Sequence, residues 1–201
     1  MGRDCDRLTT KIEIKAKSEV TPEILSLLKH HFEGHCKGKM NANQGVAPAY
    51  VKYMLSKYHY VVLITSKNHM GTRSKSIEKL CGFLFLQKKA KHAYIDIVCS
   101  SDKVGWRLLN FTEDWVQSKW GIDVVYLNAL SPVQCMYAFR GYREVPPSQA
   151  CKLDATRQPA GTETGGFRMS KCVKEGKEMS TKKLLPIGCD PKHNRRIFIG
   201  K

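Results

Sequence analysis

The residues Ala93-Tyr-Ile-Asp-Ile-Val-Cys99 run without a break into Ser100-Ser-Asp-Lys-Val-Gly105, and Gly105 opens Trp106-Arg-Leu-Leu109. An apolar strand, a short polar loop and an amphipathic helix in that order can hold a phosphate. The first amides of a helix have no intrahelical acceptor, and the helix start carries roughly half a positive charge. A strand that feeds such a turn can line a ligand along its edge while the helix holds the ligand's phosphates. The plain alternative is an ordinary strand-turn-helix with no ligand.

The elements around this run must position it. Lys11–Lys17 alternates polar and apolar residues and predicts a half-buried first strand. Thr21-Pro22 caps and starts a helix whose apolar face is Ile24, Leu25, Leu27, Leu28 and Phe32. Gly34, Gly38 and Gly45 break the chain before a short helix around residues 49–57. His59–Thr65 and Leu80–Leu86 read as strands, separated by a polar loop from Lys67 to Lys79. After the basic turn at Lys88–His92 comes the strand Tyr94–Cys99.

The helix from Gly105 to Trp120 carries Leu108, Leu109, Thr112, Trp115 and Val116 on one stripe, and Gly121 stops it in a left-handed cap. Asp123–Leu130 is a further strand, and Ser131-Pro132 starts a short helix. Tyr142–Val145 and Gly166–Cys172 pair as a terminal hairpin in this reading, with Pro146–Gly165 as a long loop between them. The pattern dissolves after Val173, which leaves residues 174–201 as a basic tail, mobile or docked by Leu184-Leu185 and Ile197-Phe-Ile199.

The order strand, loop, helix, strand, helix, followed by Tyr137-x-x-x-Gly141-Tyr142, resembles the GNAT N-acetyltransferase superfamily. The Tyr-x-x-x-Gly-Phe ending of that family is matched by Tyr137, Gly141 and Tyr142. Of its Gln/Arg-x-x-Gly-x-Gly/Ala loop only the last glycine is present, as Gly105, with Ser100 and Lys103 at the other two positions. The resemblance covers residues 11–173. It implies an α/β (α+β mixed) fold, a central mixed, splayed sheet of six or seven strands flanked by helices, and one acetyltransferase domain over residues 1–173.

It also implies an activity: transfer of an acetyl group from acetyl-CoA to a primary amine of a small molecule or protein lysine, by direct attack. Such a reaction needs a gripped cofactor, an amine that has lost a proton, an N–H donor for the oxyanion and a proton for the leaving thiolate. Carried onto this sequence, the amides of Lys103, Val104, Gly105, Trp106 and Arg107 hold the pyrophosphate, and only hydrogen fits at Gly105. The backbone of Ile97, Val98 and Cys99 pairs with the pantetheine arm, and the Val98 or Cys99 N–H serves the oxyanion.

Tyr137 falls at the position of the general acid, where the alternative is packing under the Gly141 turn. Asn128, at the end of its strand, could bond the pantetheine amide; the family's usual asparagine position, seven residues before Tyr137, departs from the pattern and holds Leu130. Asp96 lies on the right strand to take the amine's proton, or to face solvent or a cation. Glu33, His31 and His35 compete for that role through water.

Composition sets bounds on these readings. A chain of 201 residues with 42% hydrophobic content buries one ordinary core. No run approaches the ~18–20 apolar residues of a membrane span. The polar first residues have no leader-like apolar stretch, which points to an intracellular protein, cytoplasmic or nuclear. Eight cysteines without a Cys-x-x-Cys pair, three of them (Cys81, Cys99 and Cys135) inside apolar patterns, read as free buried thiols of a reducing compartment.

The net charge of +16 concentrates polyanions near the surface, and residues 174–201 hold eight Lys/Arg against three Asp/Glu. Basic loops and tail could therefore touch nucleic acid non-specifically. The competing function is a catalytically inactive module on the same scaffold that binds nucleic acid or another polyanion. His30, His31, His35 and Cys36 suggest zinc, but with no second spaced pair they read as the polar face and end of the first helix, so no metal is expected.

Overall fold

The computed structural model describes residues 10–36, 53, 55–68, 77–101, 104–130, 133–152 and 166–174. Strands β1 (Thr10–Ala16), β2 (Tyr60–Asn68), β3 (Ile77–Lys88), β4 (Ala93–Ser100), β5 (Val124–Leu130) and β6 (Gly166–Cys172) form one mixed sheet in that order. Helices α1 (Pro22–His35), α2 (Gly105–Trp120) and α3 (Gln134–Ala138) flank it. Residues 55–57 are helical, as expected of the short helix at 49–57, most of which lies outside the described residues. The chain divides into two compact units: residues 1–88 with 95–113, and residues 89–94 with 114–201.

In the first unit β1 pairs antiparallel with β2, and β2 with β3, with a register shift between Ile64 and Thr65. On β1, Glu13 forms ion pairs with Lys11 and, at 3.8 Å, with Lys15. The Lys11 contact, followed by Lys15, holds the Glu13 carboxyl below its ordinary range. α1 starts where it does because Thr21, in an extended conformation, accepts the Ile24 N–H on Oγ1 at 3.4 Å, and Pro22 has no N–H to lose. Leu28 and Phe32 bury the helix among Tyr58, Val61, Leu63, Phe83, Phe85, Ile97 and Cys99. β4 alternates strictly: Ala93, Ile95, Ile97 and Cys99 are buried, and Tyr94, Asp96, Val98 and Ser100 half-buried.

In the second unit β5 and β6 pair antiparallel along their whole lengths, from Val124 opposite Cys172 to Leu130 opposite Gly166. α2 stops at Trp120 because Gly121 turns left-handed (φ 61°) and gives its N–H to Gln117. The hairpin expected between Tyr142–Val145 and β6 does not form. Arg143 makes one isolated bridge with Ser170, and the Val145 N–H then folds back onto the Arg143 carbonyl at 2.8 Å. Pro146 and Pro147 follow with no N–H to extend a ladder, so β6 takes β5 as its partner instead.

The cysteine expectation is corrected. Cys36 is bonded to Cys99 (Cα–Cα 6.0 Å) and Cys151 to Cys172 (4.9 Å), and Cys81 and Cys135 are in disulfides as well. Both separations lie in the range that a disulfide spans without moving the backbone. The reading of a reducing compartment rested on free thiols at Cys81, Cys99 and Cys135, and it loses that ground.

Candidate functional site

β4 and the start of α2 stand as expected on either side of residues 102–103, which lie outside the described residues, and three local contacts shape their ends. Ser101 sends both its N–H and its Oγ to the Cys81 carbonyl on β3, each at 2.9 Å, which pins the loop where it leaves β4. Val104 acts as the helix start, since its carbonyl accepts from Arg107 at 3.0 Å and from Leu108 at 3.2 Å. Ser100 is held between two glycines. A Cβ on Gly82 would stand 2.9 Å from the Ser100 Cβ, and one on Gly105 would stand 2.7 Å from its Oγ.

These contacts change the expected roles. The Arg107 and Leu108 N–H groups are already accepted by the Val104 carbonyl, so of the five amides expected to hold a phosphate that of Arg107 is committed within the helix. The Arg107 side chain is exposed and Trp106 half-buried. A side chain at Gly105 would have to displace the Ser100 hydroxyl, so packing as well as any phosphate favours glycine there. Asp96 accepts the Ile97 N–H on Oδ1 at 3.1 Å, so an arm lying along β4 would share or displace that bond. The side chain of Cys99 is committed to Cys36. Lys103 lies outside the described residues.

Of the other proton-transfer candidates, Glu33 is exposed and His35 half-buried. His31 is only 5% exposed, its ring 4.4 Å from that of His35, and its Nε2 has no hydrogen-bond partner among the described residues. Burial, then the neighbouring His35, push its pKa down from 6.5 to about 4, with a bond to the Leu80 backbone acting in the opposite direction. His31 is therefore a neutral imidazole at pH 7 and a weak base.

The second unit holds Tyr137 and Asn128. Tyr137 is buried on α3, its ring edge-on to Tyr142 at 5.8 Å. Its carbonyl accepts from Arg140 and Tyr142 as the chain turns through Gly141 (φ 87°), a conformation that favours glycine. Burial raises the phenol above its ordinary pKa of 10, so the proton stays on it throughout the working pH range. Asn128 is exposed and gives its Nδ2 to the Tyr94 hydroxyl at 3.3 Å, and Tyr94 stacks on Tyr126 at 4.6 Å. In the same unit Arg143, 3% exposed, donates to the Ala150 and Lys152 carbonyls, and buried Glu144 accepts from Gln134.

No family model matches the chain, and no curated protein matches it. Solved structures do. An acyl-CoA N-acyltransferase from Pseudomonas aeruginosa superposes with a TM-score of 0.54 at 18% identity, over 81% of this chain and 99% of that one. The catalytic domain of a Tetrahymena histone acetyltransferase, in complex with coenzyme A, gives 0.51 at 14% identity, over 86% and 98%. The fold is that of the GNAT acetyltransferases. An aminoglycoside 6′-acetyltransferase type Ii has it too, with a TM-score of 0.50 at 15% identity over 82% of this chain and 97% of that one.

Two features of this GNAT fold escaped the sequence reading: the Gly82–Ser100–Gly105 packing and the Arg143 anchor. The first had a signal in the glycine on an otherwise apolar strand, Cys81-Gly-Phe83, since a strand glycine often marks a close approach. An open groove of about 670 Å³ lined by Lys17, Tyr58, His59, Tyr60 and Lys88, among others, includes none of the candidate residues. Among the described residues no group of three His, Cys, Asp or Glu side chains could hold a metal ion, and no helix is long and apolar enough to cross a membrane.

Proposed function

We propose that the chain is an acetyl-CoA-dependent N-acetyltransferase acting on a primary amine of a small molecule or of a protein lysine, with its acetyltransferase domain over residues 1–173. The observation that carries this reading is the end of β4, pinned by the two Ser101 bonds to Cys81 shortly before the start of α2, inside a fold shared with a coenzyme A-bound acetyltransferase. That start suits a diphosphate: a helix start carries a positive partial charge, and Arg107 adds an exposed cation.

Acetyl-CoA supplies an acetyl group activated as a thioester. In this reading Gly105 and Trp106 hold its phosphates through backbone N–H groups, the Arg107 guanidinium adds charge, and the β4 backbone at Val98 and Cys99 aligns the pantetheine arm. Asp96 orients that part of β4 through the Ile97 N–H rather than acting as a free base. Asn128 is a polar contact whose Nδ2 is shared with Tyr94. Tyr137, kept protonated by burial, holds the proton that the departing thiolate takes up. The alternative of a polyanion-binding module without turnover has no observation among the described residues in its favour.

Calorimetry with acetyl-CoA, followed by release of free thiol across a panel of polyamines, amino acids, lysine peptides and aminoglycosides, tests the reading. Saturable binding that survives moderate salt, with thiol release for one class of amine, is the expected result. Absence of binding would overturn it.

A further inference from the structure

α3 covers only Gln134–Ala138, and Val133 before it has no side chain that can accept the first amides. A helix of that length is far below the roughly 12–15 residues that hold helical shape unaided, so its orientation is set by what it is tied to. Its end is closed by the turn through Gly141, where the Phe139 N–H bonds to the Cys135 carbonyl and the Gly141 N–H to that of Ala138, each at 3.0 Å. Its first residue is held differently. The buried Gln134 side chain donates its Nε2 to Oε1 of Glu144, buried as well and ten residues further on.

Glu144 is itself fixed. The Arg143 N–H bonds to the Ser170 carbonyl at 2.9 Å, the Ser170 N–H to the Arg143 carbonyl at 2.8 Å, and Ser170 Oγ donates to the Val145 carbonyl at 2.8 Å. The backbone on both sides of Glu144 is thus held to β6, which lies along β5 over its whole length. We infer that Glu144 is a positioning residue: held by β6, it sets through Gln134 the orientation of α3, and with it the direction of the Tyr137 hydroxyl. This deepens the proposed acetyl transfer and rests on it for the role of Tyr137 as proton donor.

The dependence has a geometric cause. Residues three apart share one side of a helix, so a roll of α3 that moves Gln134 moves Tyr137 with it. A proton donor must stand within hydrogen-bond reach of its acceptor, and a displacement of about 1 Å can cost ~10²-fold in rate. The disulfide at Cys135 ties α3 to the chain as well. One link at one residue fixes a distance but leaves the roll about it open. Deprived of the Glu144 carboxyl, the buried Gln134 amide loses this acceptor, and the helix gains by turning toward another.

The test uses the full oxidised chain with its tyrosines labelled at 13Cζ, the Tyr137 signal being assigned from Tyr137→Phe. Turnover is followed as thiol release with the amine that the wild type uses fastest, and acetyl-CoA affinity by calorimetry. Glu144→Leu removes the acceptor at nearly the same volume. It should shift the Tyr137 signal and lower kcat about tenfold, with acetyl-CoA affinity within about twofold of wild type. Gln134→Glu sets two carboxyls face to face and should do the same. Combined with Glu144→Gln, it rebuilds the bond with its ends exchanged, and both kcat and the Tyr137 signal should return most of the way. An unmoved Tyr137 signal in the single variants, or no recovery in the exchanged pair, overturns the proposal. If Glu144→Leu does not fold, Gln134→Glu and the exchanged pair decide alone. The two readings fail separately: wild-type turnover in Tyr137→Phe removes the proton donor, while the Tyr137 signal still reports whether Glu144 orients that ring.

Discussion

The Ser100 hydroxyl occupies the space that a side chain on Gly105 would need, its Oγ standing 2.7 Å from that position. Close packing at the end of β4 and ligand access at the start of α2 thus make the same demand on one residue. Charge separates the two. Gly105→Asn and Gly105→Asp bring nearly the same bulk against Ser100, but only the aspartate sets a negative charge against bound phosphates. Both variants should lose stability by about 1–3 kcal/mol. Gly105→Asp should bind acetyl-CoA at least about tenfold more weakly than Gly105→Asn by calorimetry. Equal affinities would remove the phosphates from this helix start.

Tyr137→Phe should keep the fold, because the ring still meets Tyr142 edge-on. Under the proposed mechanism it keeps acetyl-CoA affinity and lowers kcat by about 10²-fold, the low end for a general acid, since a thiolate already leaves readily. Wild-type turnover in the phenylalanine chain would reduce Tyr137 to a packing residue.

His31 makes stability depend on pH. Its pKa is about 4 in the folded chain against 6.5 for the free side chain, lowered first by burial and then by His35, with His30 and Lys79 adding to the effect. Above pH 6.5 both states are neutral and the fold keeps its full stability. As pH falls from 6.5 to 4 the unfolded chain takes up a proton that the folded chain resists, and on the order of 3 kcal/mol is lost. Thermal melts across that window should fall more steeply for the wild type than for His31→Phe. Parallel curves for the two chains would show that His31 is not the group responsible.

Arg143→Ala should cost about 2–4 kcal/mol, because it opens a cavity and leaves the Ala150 and Lys152 carbonyls without their donor. Urea unfolding measures it. A change below about half a kcal/mol would mean that water replaces the guanidinium fully.

The order of elements and most boundaries were legible in the sequence because each rests on short-range chemistry. Thr21-Pro22 caps α1, Gly121 ends α2, and the alternation through Ala93–Ser100 forms a strand with one buried face. What was not legible depends on partners distant in sequence. Neither Cys36 nor Cys99 carries a local sign of the other across 63 residues, and apolar neighbours suit a buried thiol as well as a disulfide. The Tyr142–Val145 segment has strand-like composition, yet one turn of backbone at Arg143–Val145 and two prolines redirect it. The same holds for the site. The loop that offers its amides was readable, but that Arg107's N–H goes to Val104, and Ile97's to Asp96, depended on backbone angles and rotamers that residue types do not specify.

The charged row on β1 has a consequence for how copies of the chain meet. β1 stands at the end of the described sheet, where an unpaired strand can template another. Two β1 strands laid antiparallel and centred on Glu13 would set Glu13 against Glu13, and Lys11 against Lys15 twice. Each chain's Lys11–Glu13–Lys15 row is partly compensated within itself, with one positive charge left over, but that pairing puts like charges directly opposite one another. Edge-to-edge growth into ribbons is thereby resisted in this register, at concentrations where an uncharged alternating strand would polymerise.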